Sequence, residues 1–416
     1  MSEDLQAFRL RAREWLAATM PRAEASADDG PGDGRDDEAW VRARELQRIL
    51  YDGGFAGLCY PQEYGGQGLT PAHQRVFNEE AVGYEMPLLL NVPTFSICAP
   101  AILDFGTEEQ KRQHLPAVIR GDEVLVQFLS EPRGGSDLAG AITRGTRDGE
   151  VFMLNGSKIW SSNAYAADYG LCLVRTDWDA PKHRGLTMLI VKVHQPGVEI
   201  RRIKQVNGNM EFCQEFFDDV PVPASDVLGE ENGGWAVASR LLFHERTAVG
   251  GGSPYVSGPP GVERSGEAEP DLLELARAGD RLTDPVVREL IGESQVLERV
   301  ADQLAVRVTD GISAGELPDA AASLLRLFMA TSNVRRTQIG LEVAGPRAAA
   351  WPPSDFRDGG SYGVNFLFRQ GASLGGGSSE MSRNLISERL LNMPREYAAD
   401  RDVPFSQVRQ SKTPAR

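Results

Sequence analysis

Two short passages hold the residues best suited to chemistry. The first is Leu129-Ser130-Glu131-Pro132-Arg133-Gly134-Gly135-Ser136-Asp137. It is polar and glycine-containing, so its backbone amides and the Ser130 and Ser136 hydroxyls can cradle a planar, hydrogen-bonding ligand. The second is Asn155-Gly156-Ser157-Lys158-Ile159-Trp160-Ser161-Ser162-Asn163, in which Trp160 offers a flat face and Ser162 a hydroxyl beside it. A ring with polar edges, such as an isoalloxazine, suits that combination. Residue types alone leave open a plainer alternative, a serine-rich turn with a core tryptophan.

A third feature is a carboxylate in an apolar setting. On a helical wheel Glu245 falls among Ala238, Leu241, Leu242, Ala248 and Val249. Burying a carboxylate is expensive, and an apolar site raises its pKa toward neutrality, which makes it a better proton acceptor. The alternative is a structural carboxylate paired with a cation such as Arg246. His244, about 100° away around the same helix, is given no role. The other histidines (His73, His114, His183, His194) are unclustered, so no zinc or di-iron site is expected. Cys59, Cys98, Cys172 and Cys213 stand singly, with no CxxC spacing, and read as buried reduced thiols of a cytoplasmic protein.

The whole composition limits the function further. The 416 residues are 41% hydrophobic and 25% charged, enough apolar material for two or three domains. Fifty-nine acidic residues against 44 basic ones give a net charge of −15, which argues against a nucleic-acid footprint. Few of the cations are lysines, so arginine is the expected partner for an anionic substrate. No apolar run of membrane-spanning length is evident, and the acidic N-terminus is not a secretory signal.

Three zones position the chemical residues. Residues 1–125 read as helical, beginning with an amphipathic helix through Leu5, Phe8, Ala12 and Trp15. An acidic glycine-rich loop is expected over Asp28–Asp37, and the helix from Glu38 stops at Gly53-Gly54. Residues 126–225 change period. Asp148-Gly149 and Asn155-Gly156 separate β-prone runs, and Leu171–Arg175, Leu186–Val193 and Glu199–Ile203 follow, which predicts a small antiparallel barrel or sandwich with two hairpin turns. Residues 226–395 return to helix, with Trp235–Val249, Val287–Val308 and Ala322–Val343 suited to an antiparallel bundle and a loop over Gly250–Pro270. Residues 396–416 read as a frayed tail. The expected architecture is α+β multidomain.

The order Ser-Glu-Pro-x-x-Gly-Ser-Asp followed by Asn-Gly-Ser-Lys-x-Trp-Ser-Ser-Asn resembles the flavin-binding signature of the acyl-CoA dehydrogenases. Further matches follow in the same order. Pro61–Gly68, Gly106–Lys111, Asp219–Pro223 with Leu228-Gly229, and Gly376-Gly377-Ser378-Ser379-Glu380-Met381-Ser382-Arg383-Asn384 resemble that family's N-terminal loop, next helix start, β-domain exit and C-terminal flavin loop. The resemblance covers about residues 40 to 395. It implies a helical domain, a β domain and a four-helix bundle binding FAD and an acyl-CoA.

Residue by residue, it places Gln127, Leu129 and Ser130 at the flavin edge and Ser136 at flavin or CoA phosphates. Trp160 and Ser162 then lie against the other side of the ring, and Ser378 and Glu380 reach the adenosine half. The family's reaction removes the thioester α-proton while the β-hydrogen leaves as hydride to the flavin. Many members keep the base where this chain has Gly376. A second branch carries it on the first bundle helix before an arginine, which Glu245-Arg246 resembles. Gly376 then contributes its N–H to the thioester oxygen and widens the acyl cavity, while Arg246 anchors CoA or orients Glu245.

The family's Arg-x-x-Phe-Gly contact to a neighbouring subunit's FAD has no counterpart around Gly250–Pro270 or Leu275–Arg281. The string from Phe243 to Arg246 with Gly250–Tyr255 resembles catalytic subunits of mixed tetramers that act on steroid side-chain CoA esters. The resemblance thus implies a homo- or hetero-oligomer with an electron-transferring flavoprotein as oxidant. The competing readings are an oxidase or monooxygenase on the same fold, and a non-catalytic subunit that completes a partner's FAD site.

Overall fold

In the computed structural model, which describes residues 3–23, 36–206, 208–259, 271–349 and 361–408, helix, sheet and helix follow in that order. The acidic loop expected over 28–37 lies outside the described residues, except that Asp36 and Asp37 already begin a helix.

Five α-helices make the first part: α1 (Leu5–Thr19), α2 (Asp36–Asp52), α3 (Pro71–Glu80), α4 (Ala99–Phe105) and α5 (Glu108–Arg120). The buried stripe of α1 is Phe8, Ala12 and Leu16, whereas Leu5 is exposed. It is thus displaced from the expected set, because the face that meets the core repeats at four-residue steps. α5 starts on a reciprocal cap between Thr107 and Gln110. The Gln110 amide also donates to the Ser225 and Val227 carbonyls at 2.8 and 3.0 Å, which ties this helix to the exit of the sheet. Residues 88–105 are apolar and long enough to span a membrane by composition, contrary to expectation, but two thirds of the stretch is buried in the helical core.

Eight strands form one sheet: β1 (Leu125–Phe128), β2 (Arg144–Asp148), β3 (Val151–Ser162), β4 (Tyr169–Arg175), β5 (Leu186–Lys192), β6 (Val198–Arg202), β7 (Phe212–Pro223) and β8 (Val227–Leu228). Their order is β6-β7-β3-β2-β4-β5-β8, with β1 parallel to β4. The sheet is therefore antiparallel except where β1 and the start of β2 lie parallel to β4. Asp148-Gly149 makes the expected hairpin. Asn155-Gly156 does not: β3 runs straight through it with a slip in register against β7. Two contacts explain why. Gly156 has φ +146°, and a Cβ there would stand 2.8 Å from the Thr143 backbone. The Asn155 amide pairs with Asp219 across the sheet at 2.9 Å. The dipeptide thus serves close strand approach rather than reversal.

The bundle is built from α6 (Gly234–Val249), α7 (Leu272–Ala278), α8 (Pro285–Ser313) and α9 (Ala322–Ala344), followed by the short α10 (Ser361–Phe368) and α11 (Ser379–Leu385). Within the expected loop, residues 250–259 are non-helical, and Val256 and Ser257 are buried beside Asn91; residues 260–270 lie outside the described set.

The expected frayed tail is mostly exposed but docks through Phe405. The Phe405 and Ser406 N–H groups donate to the Ala180 and Trp178 carbonyls at 2.9 and 2.7 Å. The Phe405 ring lies 3.8 Å from the guanidinium of Arg175. That arginine is fully buried and gives its donors to the Ala139, Ala141 and Lys182 carbonyls. Burial pushes it down to about 10. The tail thereby braces the stretch just beyond Ser136-Asp137. Phe405→Ala is expected to cost about 3 kcal/mol in urea unfolding, from the lost packing of a buried ring. A cost below about 0.5 kcal/mol, the usual range of a surface substitution, would mean that the tail carries no weight.

Candidate active site

A buried ion pair shapes the loop after β1. Lys158, with no exposed surface, donates to Glu131 Oε1 at 2.9 Å and to the Leu129 carbonyl at 3.1 Å. The Glu131 carboxylate also accepts the Ile142 and Thr143 N–H groups at 2.7 and 2.8 Å. Burial alone would raise this carboxyl, but Lys158 and the two amides outweigh burial and hold it below the usual range. The Ser130 carbonyl accepts the Ile159 N–H at 2.9 Å. With the Leu129 carbonyl turned onto Lys158, the Ser130 N–H in the same planar peptide points the opposite way. The loop's donors therefore have a fixed direction.

Trp160 extends this surface. Its backbone is left-handed (φ +67°), at the point where β3 slips against β7 between Ile159 and Ser161. Such a conformation is strained for a bulky residue, and here it turns the indole outward, 55% exposed and edge-on to Phe212. Behind it, Ser161 donates to the buried Glu215 at 2.9 Å. Burial pushes Glu215 up to about 7.

Glu245 stands where the three parts of the chain meet. Gln127, on β1, donates from Nε2 to Glu245 Oε1 at 3.2 Å. The Gln127 Oε1 is buried and takes no partner among the described residues. Cys98, wholly buried at the end of the helical turn before α4, lies near enough for the Glu245 charge to add to burial in raising its thiol. One turn along α6, Val249 Cγ2 would stand 3.5 Å from a Cβ at Gly376. Gln127 thus meets Glu245, and Gly376 lies against the same helix one turn farther on. Arg246 is half-buried beside them, its Nε enclosed and unpartnered, and burial lowers it below the ordinary arginine value.

Position 376 favours glycine here. Its φ is +72°, and an added Cβ would come 3.0 Å from Nε of Arg326, on α9. Arg326, 1% exposed, donates from Nε at 2.8 Å and from Nη2 to the Gly375 carbonyl. It is the residue that the sequence analysis missed. The signal was present: an arginine among Leu324, Leu325, Leu327 and Phe328 is a charge in an apolar run, the same anomaly that singled out Glu245.

Other residues fall at the margins. Ser136 is exposed in its loop and Ser162 is half-buried at the end of β3. The Ser378 hydroxyl caps α11 through the Met381 N–H at 3.2 Å, and Glu380 is exposed, 3.9 Å from Arg383. His244 turns away from Glu245 and meets Asp104 at 2.9 Å, which leaves it structural. Arg281, in the region searched for a pyrophosphate contact, is bonded to the Glu342 and Val343 carbonyls at 2.7 and 3.0 Å.

Comparison with known proteins matches three family models in chain order: acyl-CoA dehydrogenase N-terminal domain over residues 2–122, middle domain over 127–220 and C-terminal domain over 232–391. The chain is 33% identical to acyl-CoA dehydrogenase IpdE1 of Mycobacterium tuberculosis, over 95% of this chain and 99% of that one. A solved structure named Tcur3481-Tcur3483 steroid ACAD shares 29% identity, covers 95% of this chain and 99% of its own, and superposes with a TM-score of 0.74. The ChsE4-ChsE5 complex of Mycobacterium tuberculosis shares 27% identity with the same 95% and 99% coverage and a TM-score of 0.71.

The Glu215 carboxyl generates a pH test. Its folded value near 7 exceeds the ordinary 4.5, so the folded protein holds a proton that the unfolded chain has released across that interval. Stability is therefore expected to fall on the order of 3 kcal/mol as pH rises from about 4.5 to 7. Glu215→Gln should remove that slope in urea unfolding; an unchanged slope would contradict the burial argument.

Proposed function

The chain belongs to the acyl-CoA dehydrogenase family, and from that premise we propose that Glu245 is the base that removes the α-proton of the acyl-CoA. The enzyme is an FAD-dependent oxidoreductase acting on a CH–CH bond of an acyl-CoA thioester. The single observation that carries the assignment is the Gln127–Glu245 contact, which holds a helix-borne carboxylate against the strand leading into the flavin loop.

The residues present fit FAD. The outward-turned indole of Trp160, the fixed N–H and hydroxyl of Ser130 and the unpartnered Gln127 Oε1 are the flat and polar contacts that a flavin ring requires. Gln127, Leu129, Ser130, Trp160 and Ser162 would hold the ring. Ser136 would meet phosphates of the cofactor or of CoA, and Ser378 and Glu380 the adenosine half. The bound FAD supplies the acceptor for the β-hydride.

All other steps fall to the chain. Arg246 sits next in sequence to the base and is the cation available to the CoA end. The Gly376 N–H binds the thioester oxygen, where negative charge develops as the α-proton leaves. Gln127 restrains the Glu245 carboxylate, so that proton transfer occurs from a fixed position. The apolar walls of α6 exclude water from the carboxylate.

The acyl group is a bulky, saturated ring system of steroid origin: relatives named for steroid substrates match nearly the whole chain, and no side chain at residue 376 crowds the acyl end. A second, unlike chain completes the assembly. Support comes from the engagement of Arg281 inside the bundle and from the two-protein composition named for the ChsE4-ChsE5 relative. The reoxidant is an electron-transferring flavoprotein in the cytoplasm, so slow reoxidation by air is expected in stopped-flow measurements, whereas an oxidase would react fast.

Glu245→Gln should retain FAD and fold yet slow anaerobic bleaching of the flavin at least a thousandfold, because only basicity is removed. Bleaching at the wild-type rate would exclude the assignment. In a panel that sets octanoyl-CoA against a CoA ester bearing a saturated steroid ring, the ring compound should bleach the flavin at least tenfold faster. Preference for octanoyl-CoA would exclude the substrate class.

A further inference from the structure

One buried charge near the base has no place in this scheme. Arg326 has 1% of its surface exposed, and among the described residues its only hydrogen-bond acceptor is the Gly375 carbonyl. A buried guanidinium is costly unless paired, and Lys158, with a carboxylate at 2.9 Å, is the contrasting case in this same protein. Arg326 therefore answers some requirement other than folding economy.

The peptide that it grips explains the requirement. The Gly375 carbonyl and the Gly376 N–H belong to one planar trans unit and point in opposite directions. A hold on the carbonyl fixes the direction of the N–H. The hold is needed because the 375–376 peptide joins two glycines, of which Gly376 is left-handed at φ +72°, and a peptide flanked by glycines flips at little cost. A flipped unit would aim a carbonyl dipole, instead of a donor, at the developing negative charge.

Arg326 also lies near enough to the base to feel its charge. The site of a Cβ at Gly376 is 3.0 Å from its Nε and 3.5 Å from Val249, one helical turn from Glu245 on the same face of α6. Burial lowers the Arg326 guanidinium, and the Glu245 charge opposes that effect. Among the described residues, the groups that face Glu245 include Arg246 on its own helix, Cys98 before α4, Gln127 on β1 and Arg326 on α9.

We propose that Arg326 is a positioning residue for proton abstraction: it locks the 375–376 peptide so that the Gly376 N–H faces the thioester oxygen, and it places a cation that favours the charged form of Glu245. The second half rests on Glu245 being the base; the first half does not. A side chain at 376 would press on this guanidinium, which would have to shift to admit it.

The test compares Arg326→Met and Arg326→Lys in the flavin-loaded protein, with two readouts. Hydrogen exchange of the 371–378 segment, measured by mass spectrometry with and without FAD, reports the peptide lock. The pH profile of anaerobic bleaching, with the panel ester that bleaches the wild type fastest, reports the base. For Arg326→Met the exchange of that segment should rise at least tenfold. Bleaching at pH 7 should fall on the order of a hundredfold, as for loss of an oxyanion donor. Its apparent pKa should also move up, because removal of a cation disfavours the carboxylate. Arg326→Lys should restore the pH profile while leaving the exchange fast. Unchanged exchange in a folded Arg326→Met protein would overturn the lock, and an unchanged profile would overturn the charge effect. Bleaching by Glu245→Gln would instead overturn the base assignment, and the exchange result would stand apart from it.

Discussion

A carboxylate that must take a proton from carbon cannot be bathed in water, yet it cannot be sealed away from its substrate. The whole arrangement around Glu245 answers that conflict. α6 contributes the side chain within an apolar stripe, β1 contributes Gln127, and α9 with the 375–376 turn closes the far side. No single part of the chain could build this junction, because the base, its restraint and the oxyanion donor come from three regions far apart in sequence. Each region is therefore held to its neighbour by polar contacts of its own, such as the Gln110 amide that joins α5 to the end of the sheet.

Three buried charges show how loops are given fixed directions. Lys158 turns the Leu129 carbonyl inward, Arg175 gathers the Ala139 and Ala141 carbonyls under Phe405, and Arg326 takes the Gly375 carbonyl. In each case a cation binds backbone oxygens in or just beyond a loop that carries a residue assigned to ligand binding. Apolar contacts are non-directional and could not orient a peptide plane. A buried donor can, at the cost of desolvating a charge. The cost is partly met for Lys158 by Glu131 and for Arg175 by an aromatic face.

Much of this was legible in the sequence, where period and turn chemistry agreed with tertiary packing. α6 and α9 appear at almost the expected boundaries because their apolar residues repeat at helical spacing over many turns. The β2–β3 hairpin follows from Asp148-Gly149. The misses have physical causes. Asn155-Gly156 carries the same local signal, but contacts to Thr143 and Asp219, distant in sequence, convert it to a bulge. β1 is parallel to β4 and too short to show a period. The tail lacks any repeat, and its described part is held by docking on Arg175 and the 178–182 segment. Glu245 was found as a charge in an apolar stripe, while Arg326 offered the same signal without a family motif to draw attention to it.

Removal of the α-proton belongs, in this account, to one side chain, Glu245. Exchange of the α-hydrogens of a 3-thia-acyl-CoA with D2O isolates it, since sulfur at the β-position leaves no hydride to transfer. The flavin-loaded protein should wash deuterium into the α-carbon, and the Glu245→Gln protein should do so at no more than the uncatalysed rate. Equal exchange by both proteins would contradict the account and place the base elsewhere.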